Sequence, residues 1–473
     1  MKIRSLLLGS VAAAGLSTGA FAADLGVLTS LDVCDSLGLS GLTISSDTNC
    51  LQITGGVSYE FIWGDYQGNT APGGPAYPTY PTQRLAQNAT VSAFPSGYDN
   101  YAIATPGNYN GDVTLNNDWS SRVEGWIKFV ATADSDFGPA KAVIRLRQRH
   151  YRHTINEGYG IDSTSPADSV YDTYTHGDDT GYVQMNEAYV QIGDSTVIMA
   201  GRKGTLMNFG HDVPLNFLGL FHSEKVDTGA KWTKDRITDG GHVIQITSNL
   251  GNGFSVGAAL EDLAGGGASA GTAVGVIAYA GDGIAAHLTI AADGILDGTV
   301  NAWGYHAGVS GSFDMFKFVA AVAGDDTGFY NAVGSASATF DMFTIALSGE
   351  AVRDVANAVT DFGGGASLSA SVTDGVTINL GGRWYRDQAG VGAGDSYQAA
   401  VQVVAAVTES ITLTGEVGVY GHSAPVAPMT ANVFYGAGQV AWAPGGGFTS
   451  SLKGEVYSNG AYKATFKAAK TFE

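Results

Sequence analysis

Hydrophobic and polar residues alternate with a period of two along much of the second half of the chain. Over residues 254–261, apolar side chains occupy one parity and small or polar side chains occupy the other, and the same pattern recurs over 343–350, 376–383 and 411–420. Successive side chains of a β-strand point to opposite faces, so this alternation predicts strands with one apolar and one polar face. The segments are about ten residues long, the length of a membrane-crossing strand.

Turn residues separate these segments at short intervals. They are Gly251-Asn252-Gly253, Asp282-Gly283, Asp374-Gly375 and Pro444-Gly445-Gly446. Such dipeptides are typical of tight hairpins between antiparallel strands. The resulting tally is about 20 strands, from near Leu51 to near Phe472, and an even number is required if both ends close the barrel from the same side. Counts of 16 or 18 also agree with the pattern, because strand boundaries are the least certain part of such an assignment.

Composition extends this pattern to a fold class. Charged residues make up 14% of the chain, glycine accounts for 67 of 473 residues, and the mean hydropathy is +0.05. After residue 22, no apolar stretch approaches the roughly 18 residues that a membrane helix needs. A chain with few charges and no such stretch is typical of an all-β protein that spreads its apolar area over many short strands. We therefore expect a closed antiparallel transmembrane β-barrel of 16–20 strands.

Three connections are much longer than the tight turns, and they span residues 65–118, 154–180 and 210–241. Loops of this length are usually functional or disordered. We expect long extracellular loops on one side of the barrel and short periplasmic turns on the other.

The first 22 residues have the features of a secretory signal peptide. Lys2 and Arg4 precede a short apolar run, and Ala20-Phe21-Ala22 fits the small-residue cleavage pattern. Residues 1–22 hold two bases and no acids, so removing them changes the net charge from −20 to about −22. We expect three units: the signal peptide (1–22), an N-terminal periplasmic segment (23–50) and a barrel domain (51–473).

The two cysteines and the acidic net charge limit the kinds of site and partner that we expect. Cys34 and Cys50 form an even pair in an exported protein, which favours a disulfide over a metal or nucleophilic site. The excess of acidic residues argues against nucleic acid as a partner. Residues Gly253 to Gly257 fit the G-x-S-x-G motif of hydrolases, but they continue an alternating strand instead of turning into a helix. We expect no cofactor, no metal and no enzymatic activity.

A cluster of positive charge is the most specific signal in this acidic chain. In residues 141–149, the basic side chains share one parity and Ala142, Ile144 and Leu146 share the other. The neighbouring stretch 122–130 has the same design. Placing arginine on the lipid face costs about 2–4 kcal/mol at the bilayer midplane, so these basic residues are predicted to line a water-filled lumen. The predicted pore-lining residues here are Lys141, Arg145, Arg147, Arg149, Arg122 and Lys128. A structural ladder that contacts lipopolysaccharide or another subunit is the alternative.

Like charges along a strand repel unless water or carboxylates compensate them. We expect the acidic residues of the 210–241 loop to face the basic residues across a constriction, creating a transverse field. These residues are Asp212, Glu224, Asp227, Asp235 and Asp239.

Aromatic residues gather near the ends of the predicted strands, where they suit the interfacial girdles of a membrane barrel. They are Tyr279, Trp303, Tyr305, Trp384, Tyr385, Phe434, Tyr435 and Trp442.

Several stretches resemble the porins of alphaproteobacteria, of the type found in Rhizobiales. They are LDVCDSLGLSGLTISSDTNCLQITGGVSYEF, MNEAYVQIGDSTVIMAGRKGTLMNF and SNLGNGFSVGAALED, and with the signal peptide they cover about a third of the chain. The resemblance implies a homotrimeric outer-membrane porin whose loop after Phe209 folds into the pore. It also places Arg202 on the basic wall. Such porins usually have 16 strands and end in an aromatic residue, whereas here Phe472 is followed by Glu473.

The leading functional hypothesis is therefore an outer-membrane porin for passive diffusion of ions and small hydrophilic solutes, with outer-membrane lipids and lipopolysaccharide as partners. A substrate-specific channel for a sugar or a dicarboxylate is a second hypothesis, because the first long loop is rich in tyrosine. A surface β-rich adhesin is the third hypothesis, from a different class of protein.

Overall fold

A computed structural model of the chain describes residues 32–65, 118–154, 183–216, 237–263, 270–388, 394–423, 432–458 and 462–473. One short α-helix, α1 (Asp32–Ser36), and a three-residue strand, β1 (Thr43–Ser45), precede the long strands. A single 3₁₀ turn, Ile295–Asp297, interrupts the β-structure of the described ranges. None of the helices in these ranges is long and apolar enough to cross a membrane.

Twenty long strands follow β1. They are β2 (Cys50–Asp65), β3 (Asp118–Ala133), β4 (Ala140–Thr154), β5 (Gln184–Gly193), β6 (Thr196–Gly204), β7 (Gly240–Gly251), β8 (Phe254–Glu261), β9 (Thr272–Gly281), β10 (Ile284–Asp293), β11 (Ala302–Phe313), β12 (Phe316–Asp325), β13 (Tyr330–Phe340), β14 (Phe343–Asp354), β15 (Val359–Thr373), β16 (Val376–Asp387), β17 (Gly394–Ala406), β18 (Ile411–His422), β19 (Asn432–Gly445), β20 (Phe448–Tyr457) and β21 (Tyr462–Phe472).

The strands form one closed antiparallel barrel. Each long strand pairs with its neighbours in the chain, and β2 pairs with β21 from Gly55↔Phe472 to Asp65↔Tyr462, which closes the cylinder. The predicted fold class and the tally of about 20 strands are therefore confirmed. Closure also removes the unpaired edges that an open sheet would leave.

Short and long connections alternate around the barrel. At the turn end of the barrel, Asn252-Gly253 and Asp282-Gly283 join their strands with φ values of 51° and 82°, and of 51° and 79°. Two successive positive φ values are what the tightest hairpin turns require, and Asn-Gly and Asp-Gly adopt them at little cost. The strand ends that flank the longer connections, such as Asp65 and Asp118, all lie at the opposite end, which we call the loop end.

The N-terminal segment is attached to the turn end of the barrel. Its disulfide joins Cys34 to Cys50, as expected. Strand β1 pairs with the first residues of β2, from Thr43↔Gln52 to Ser45↔Cys50, just below the point where pairing with β21 stops. Strand β1 therefore extends the row of hydrogen bonds along the seam between the first and last barrel strands.

The barrel has an apolar outer face and a polar inner face. On β18, Leu413 and Val417 are 41% and 63% exposed on the outside, whereas Glu416 on the inside is 3% exposed. The same division holds on β14, where Ile345 and Leu347 point outwards. The alternation of apolar and polar residues in the sequence therefore corresponds to outward and inward side chains of the strands.

The aromatic prediction is correct for the outward residues and wrong for two of the others. Trp303, Trp384, Phe434 and Trp442 are between 39% and 62% exposed on the outer face. By contrast, Tyr385 and Tyr435 follow an outward aromatic directly, so strand geometry turns them into the barrel, where they are 1% and 5% exposed.

Candidate functional site

Strand β4 places a row of basic side chains on the inner face of the barrel. Lys141, Arg145, Arg147 and Arg149 share this face with the buried Val143, while Ile144 is 43% exposed on the outside. On β3, Arg122 and Lys128 also face inwards, because Lys128 pairs with Arg145 in the strand register. We call these six inward residues of β3 and β4 the basic ladder.

Carboxylates on neighbouring strands pair with much of the ladder. Arg149 donates to Glu124, its register partner on β3. Glu187 on β5 forms ion pairs with two residues, with Lys128 Nζ at 3.3 Å and Arg145 Nη1 at 3.6 Å. These side chains are 18–31% exposed, so the pairs border the lumen without being fully desolvated.

Glu60 on β2 connects the ladder to the last strand of the barrel. Its two oxygens lie 3.3 Å from Arg122 Nη2 and 2.7 Å from Lys467 Nζ. The basic wall therefore continues across the seam onto β21. Lys463 on β21 and Lys453 on β20 lie 3.3 Å and 3.0 Å from the buried Glu455 of β20.

Sequence reasoning did not identify Glu60, Glu187 or Lys467 as site residues. The sequence feature that could have identified them is a charged residue next to apolar or aromatic residues of a strand, as in Tyr59-Glu60-Phe61. In such a pattern the charged side chain points inwards. Which residue opposes which depends on the register between strands, and that is set by pairing and by the bulge in β4–β5 at Arg145.

Two ladder arginines lie next to Trp126. The guanidinium of Arg145 also lies over the Trp126 ring, 4.9 Å from its centroid. Arg147, opposite Trp126 in the register, has no ion-pair partner within the part of the chain that the structure describes. Arg147 is thus a ladder charge that the wall carboxylates leave uncompensated.

Residues 205–216, which follow β6, lie inside the barrel along the wall, and we call them the inner segment. Leu206 N donates to the inward Glu261 Oε1 at 2.6 Å, and Asn208 N donates to Thr289 Oγ1 at 3.1 Å. Further along, Leu215 N donates to Ser335 Oγ at 2.9 Å. The inner segment therefore crosses from β8 to β13 on the lumen side.

Apolar packing and a glycine hold the inner segment close to the wall. Met207 is buried against Ala259, Val274 and Ala291, which are inward residues of β8, β9 and β10. A Cβ atom at Gly308 on β11 would lie only 2.7 Å from the carbonyl oxygen of Gly210. Only glycine at position 308 allows the backbone of the segment to approach this strand so closely.

The acidic residues expected in the constriction loop are placed only in part. Asp212 lies in the inner segment and Asp239 lies just before β7, while Glu224, Asp227 and Asp235 fall outside the described residues. The described ion-pair partners of the basic ladder are carboxylates of the wall itself, and Asp212 and Asp239 are not among these described partners.

The expectation for Arg202 is wrong. It pairs with Ala188 and His242 on the outer face of β6, because Met199 and Lys203 occupy the inward parity of that strand. Lys203 lies over the Tyr189 ring, 4.9 Å from the centroid, and is the basic residue that this end of β6 contributes to the lumen.

Carboxylates are also found on the wall opposite the ladder. Strand β14 is ten strands from β4 in either direction around the barrel, so its inward Glu350 lies across the lumen. The other inward carboxylates of this side include Asp361 on β15 and, further around the barrel, Glu416 on β18, and its described basic residues include Lys317 and Arg383. Glu416 accepts hydrogen bonds of 2.8 Å from Gln402 Nε2 and of 2.8 Å from Tyr435 Oη. No group of three or more His, Cys, Asp or Glu in the described ranges has the arrangement of a metal site.

A closed 20-stranded barrel that is apolar outside and charged inside is a transmembrane β-barrel of the bacterial outer-membrane type. Neither a protein-family model nor a curated protein matches the sequence.

Solved structures do match, at low identity. An outer-membrane protein of Vibrio cholerae, OmpT with loop L8 deleted, is 8% identical with a TM-score of 0.36, over 90% of this chain and 100% of that chain. The anion-selective porin from Comamonas acidovorans is 12% identical with a TM-score of 0.34, over 90% and 100%. OccK11 of Pseudomonas aeruginosa is 8% identical with a TM-score of 0.42, over 89% and 96%. At these values the matches add nothing to the fold assignment, which rests on the strand pairing.

Proposed function

We propose that this protein is an outer-membrane porin that forms a water-filled channel for passive diffusion of ions and small hydrophilic solutes. The observation that supports the proposal is that the closed barrel wall is apolar on its outer face and charged on its inner face. Apolar side chains such as Val417 are exposed outside, while the basic ladder faces inwards. Charges on the inner face are stable where water or a polar partner reaches them, and an aqueous lumen supplies the water.

The distribution of charge supports an electrostatic filter inside the channel. The ladder and Lys467 make one side basic, and Glu350 and Asp361 contribute carboxylates to the far side. Fixed charges of opposite sign across a lumen bias the path and the concentration of permeating ions. We therefore propose a field between two walls of the barrel, whereas the field expected between the ladder and the 210–241 loop stays a prediction.

The proposed orientation follows from the connections. The tight turns, the disulfide-linked segment and the C-terminal end of β21 share one end, which we place in the periplasm. The longer connections then lie at the cell surface, as in other outer-membrane barrels. Outer-membrane lipid and lipopolysaccharide are the proposed surroundings of the apolar face, and a homotrimer is the proposed assembly.

Reversing the ladder tests the channel proposal directly. We expect the triple variant Arg145→Glu, Arg147→Glu, Arg149→Glu to shift the reversal potential in a KCl gradient toward cation selectivity. One charge about 4 Å from an ion changes its energy by about 1 kcal/mol in water-like surroundings, or about fivefold in local concentration. Lys470→Glu is the matched control, because Lys470 lies on the outer face of β21.

An unchanged reversal potential in the triple variant would remove the ladder from the conducting path. Swelling of liposomes in small sugars, measured on the same preparations, reports separately whether the barrel admits uncharged solutes.

A further inference from the structure

Three imidazole rings meet where the inner segment crosses β10 and β11. His287 Nε2 and His306 Nδ1 are 2.7 Å apart, and their rings are parallel within 5° with centroids 4.9 Å apart. The ring of His211, from the inner segment, lies 5.3 Å from that of His287. We call His211, His287 and His306 the histidine stack. It joins the segment to the wall through two strands.

The stack is buried and closely fitted. His287 is 5% exposed and His306 is 0% exposed, and the Phe209 ring meets His306 edge-on at 6.0 Å. His211 Nδ1 lies 2.8 Å from Ser310 Oγ on β11. A Cβ atom at Gly308 would lie 2.8 Å from His287 Cε1, so the missing side chain at this position gives room to both the stack and the segment.

The stack depends on neutral rings. In a hydrogen bond between two imidazoles, one ring nitrogen donates and the other accepts, whereas a protonated imidazole has two donors and no acceptor. If His287 and His306 both carried a proton on each nitrogen, their bond would be lost and two positive charges would lie about 5 Å apart. Burial favours the neutral form of an imidazole, so the rings stay neutral until the solution is well below the ordinary titration range of histidine, about pH 6.5.

Several carboxylates on the surrounding elements accept hydrogen bonds from groups outside the stack. Glu261 on β8 accepts from Leu206 N and Thr238 Oγ1, and Asp293 on β10 accepts from Thr272 Oγ1. Asp325 on β12 accepts from Thr327 and Phe329 in its own turn. Lys317 on β12 and Asp212 on the segment complete the charged groups of these elements, since the described inward residues of β9 and β11 add only His306.

We propose that the histidine stack is an acid-sensitive latch. Protonation of the stack breaks the hydrogen bond between the two wall imidazoles, drives the rings apart and detaches the inner segment from β10 and β11. The detached segment then moves from the wall toward the centre of the lumen and lowers the conductance. This last step rests on the proposed channel function, whereas detachment of the segment does not.

A spin label on the inner segment measures detachment. Val213, which is 56% exposed, is replaced by cysteine and labelled in the full-length protein in liposomes, where Cys34 and Cys50 remain paired. We expect the label to become mobile when the pH falls from about 7.5 to about 3.5 and immobile again on return, because a buried imidazole takes up a proton only in more acidic solution than a free one.

Substitutions in the stack distinguish the effect of protonating its histidines from the effect of other titrating groups. In the double variant His287→Gln, His306→Gln, the amides keep polar contacts without titrating, so the label should stay immobile at both pH values. Gly308→Ala, which pushes on the Gly210 carbonyl, should release the label at neutral pH. His242→Gln on the outer face of β7 is the matched control and should respond like wild type. If the double variant does not fold, His211→Asn gives the same comparison from the segment side.

A wild-type label with equal mobility at both pH values would overturn the latch, and so would a double variant that still responds to acid. Bilayer conductance recorded in parallel should fall in acid for wild type and stay constant for the double variant. A protein without conductance at neutral pH contradicts the channel proposal alone, because the label still reports on the segment.

Discussion

At the scale of single residues, Arg147 and Arg149 lie two positions apart on one face of β4 and have different surroundings. Arg149 donates to Glu124, and both side chains are less than one quarter exposed. Arg147 faces Trp126 and the lumen, with no carboxylate partner among the described residues. Arg149 therefore contributes mainly to the stability of the wall, and Arg147 contributes mainly to the potential in the lumen.

This difference predicts that the same substitution affects stability at Arg149 and ion selectivity at Arg147. Arg149→Gln leaves Glu124 without its partner and should lower the free energy of unfolding by about 1–3 kcal/mol. Arg147→Gln should change it by less than about 0.5 kcal/mol while shifting ion selectivity toward cations. Denaturant titration of tryptophan fluorescence in lipid vesicles measures the first quantity. Equal losses of stability in both variants would contradict the assignment.

Residue parity was the part of the site that the sequence could predict. The alternation over 141–149 was enough to put the ladder on one face. The partners Glu60 and Glu187 could not be found in this way, because they come from other strands and depend on register. For Arg202, the resemblance to a family placed the residue on the wrong face, and the parity of Met199 and Lys203 on β6 was the stronger guide.

At the scale of elements, each strand acts as a boundary between two solvents. Val417 on β18 is 63% exposed on the outer face, and Thr414 on the same strand points inwards. Arginine near the bilayer midplane on the lipid face costs about 2–4 kcal/mol, whereas an inward arginine remains in contact with water.

We therefore expect Val417→Arg to lower the free energy of unfolding in vesicles by about 2–4 kcal/mol. Thr414→Arg, the matched inward change, should cost less than about 1 kcal/mol and should instead alter conductance. Equal tolerance of both changes would mean that the outer face of β18 does not contact hydrocarbon.

The strands and turns were predictable because their signals are local. Alternation set the strands, and Asn252-Gly253 and Asp282-Gly283 marked hairpins that take the required positive φ values. The path of the inner segment was not predictable from its own residues. It depends on Ser335 and Gly308, which lie about a hundred positions further along the chain and provide a hydroxyl acceptor and a close approach.

At the scale of the whole molecule, closure of the twenty strands produces one continuous wall that separates the apolar outer face from the lumen. Pairing of β2 with β21 leaves no open edge, and β1 with the Cys34–Cys50 disulfide secures the turn end of that seam. Because the wall is closed, the inner segment must lie inside the lumen, where its position affects every permeating solute. The ladder, the opposing carboxylates and the histidine stack then act on one shared space.

The central claim is that this space is a continuous aqueous path through a membrane. Single-channel recording of the purified wild-type protein in planar lipid bilayers, at neutral pH and increasing KCl concentration, tests the claim most directly. The account predicts discrete conductance steps whose size rises with salt concentration, as in a water-filled pore. Bilayers that contain the correctly folded barrel yet show no conductance steps would contradict it.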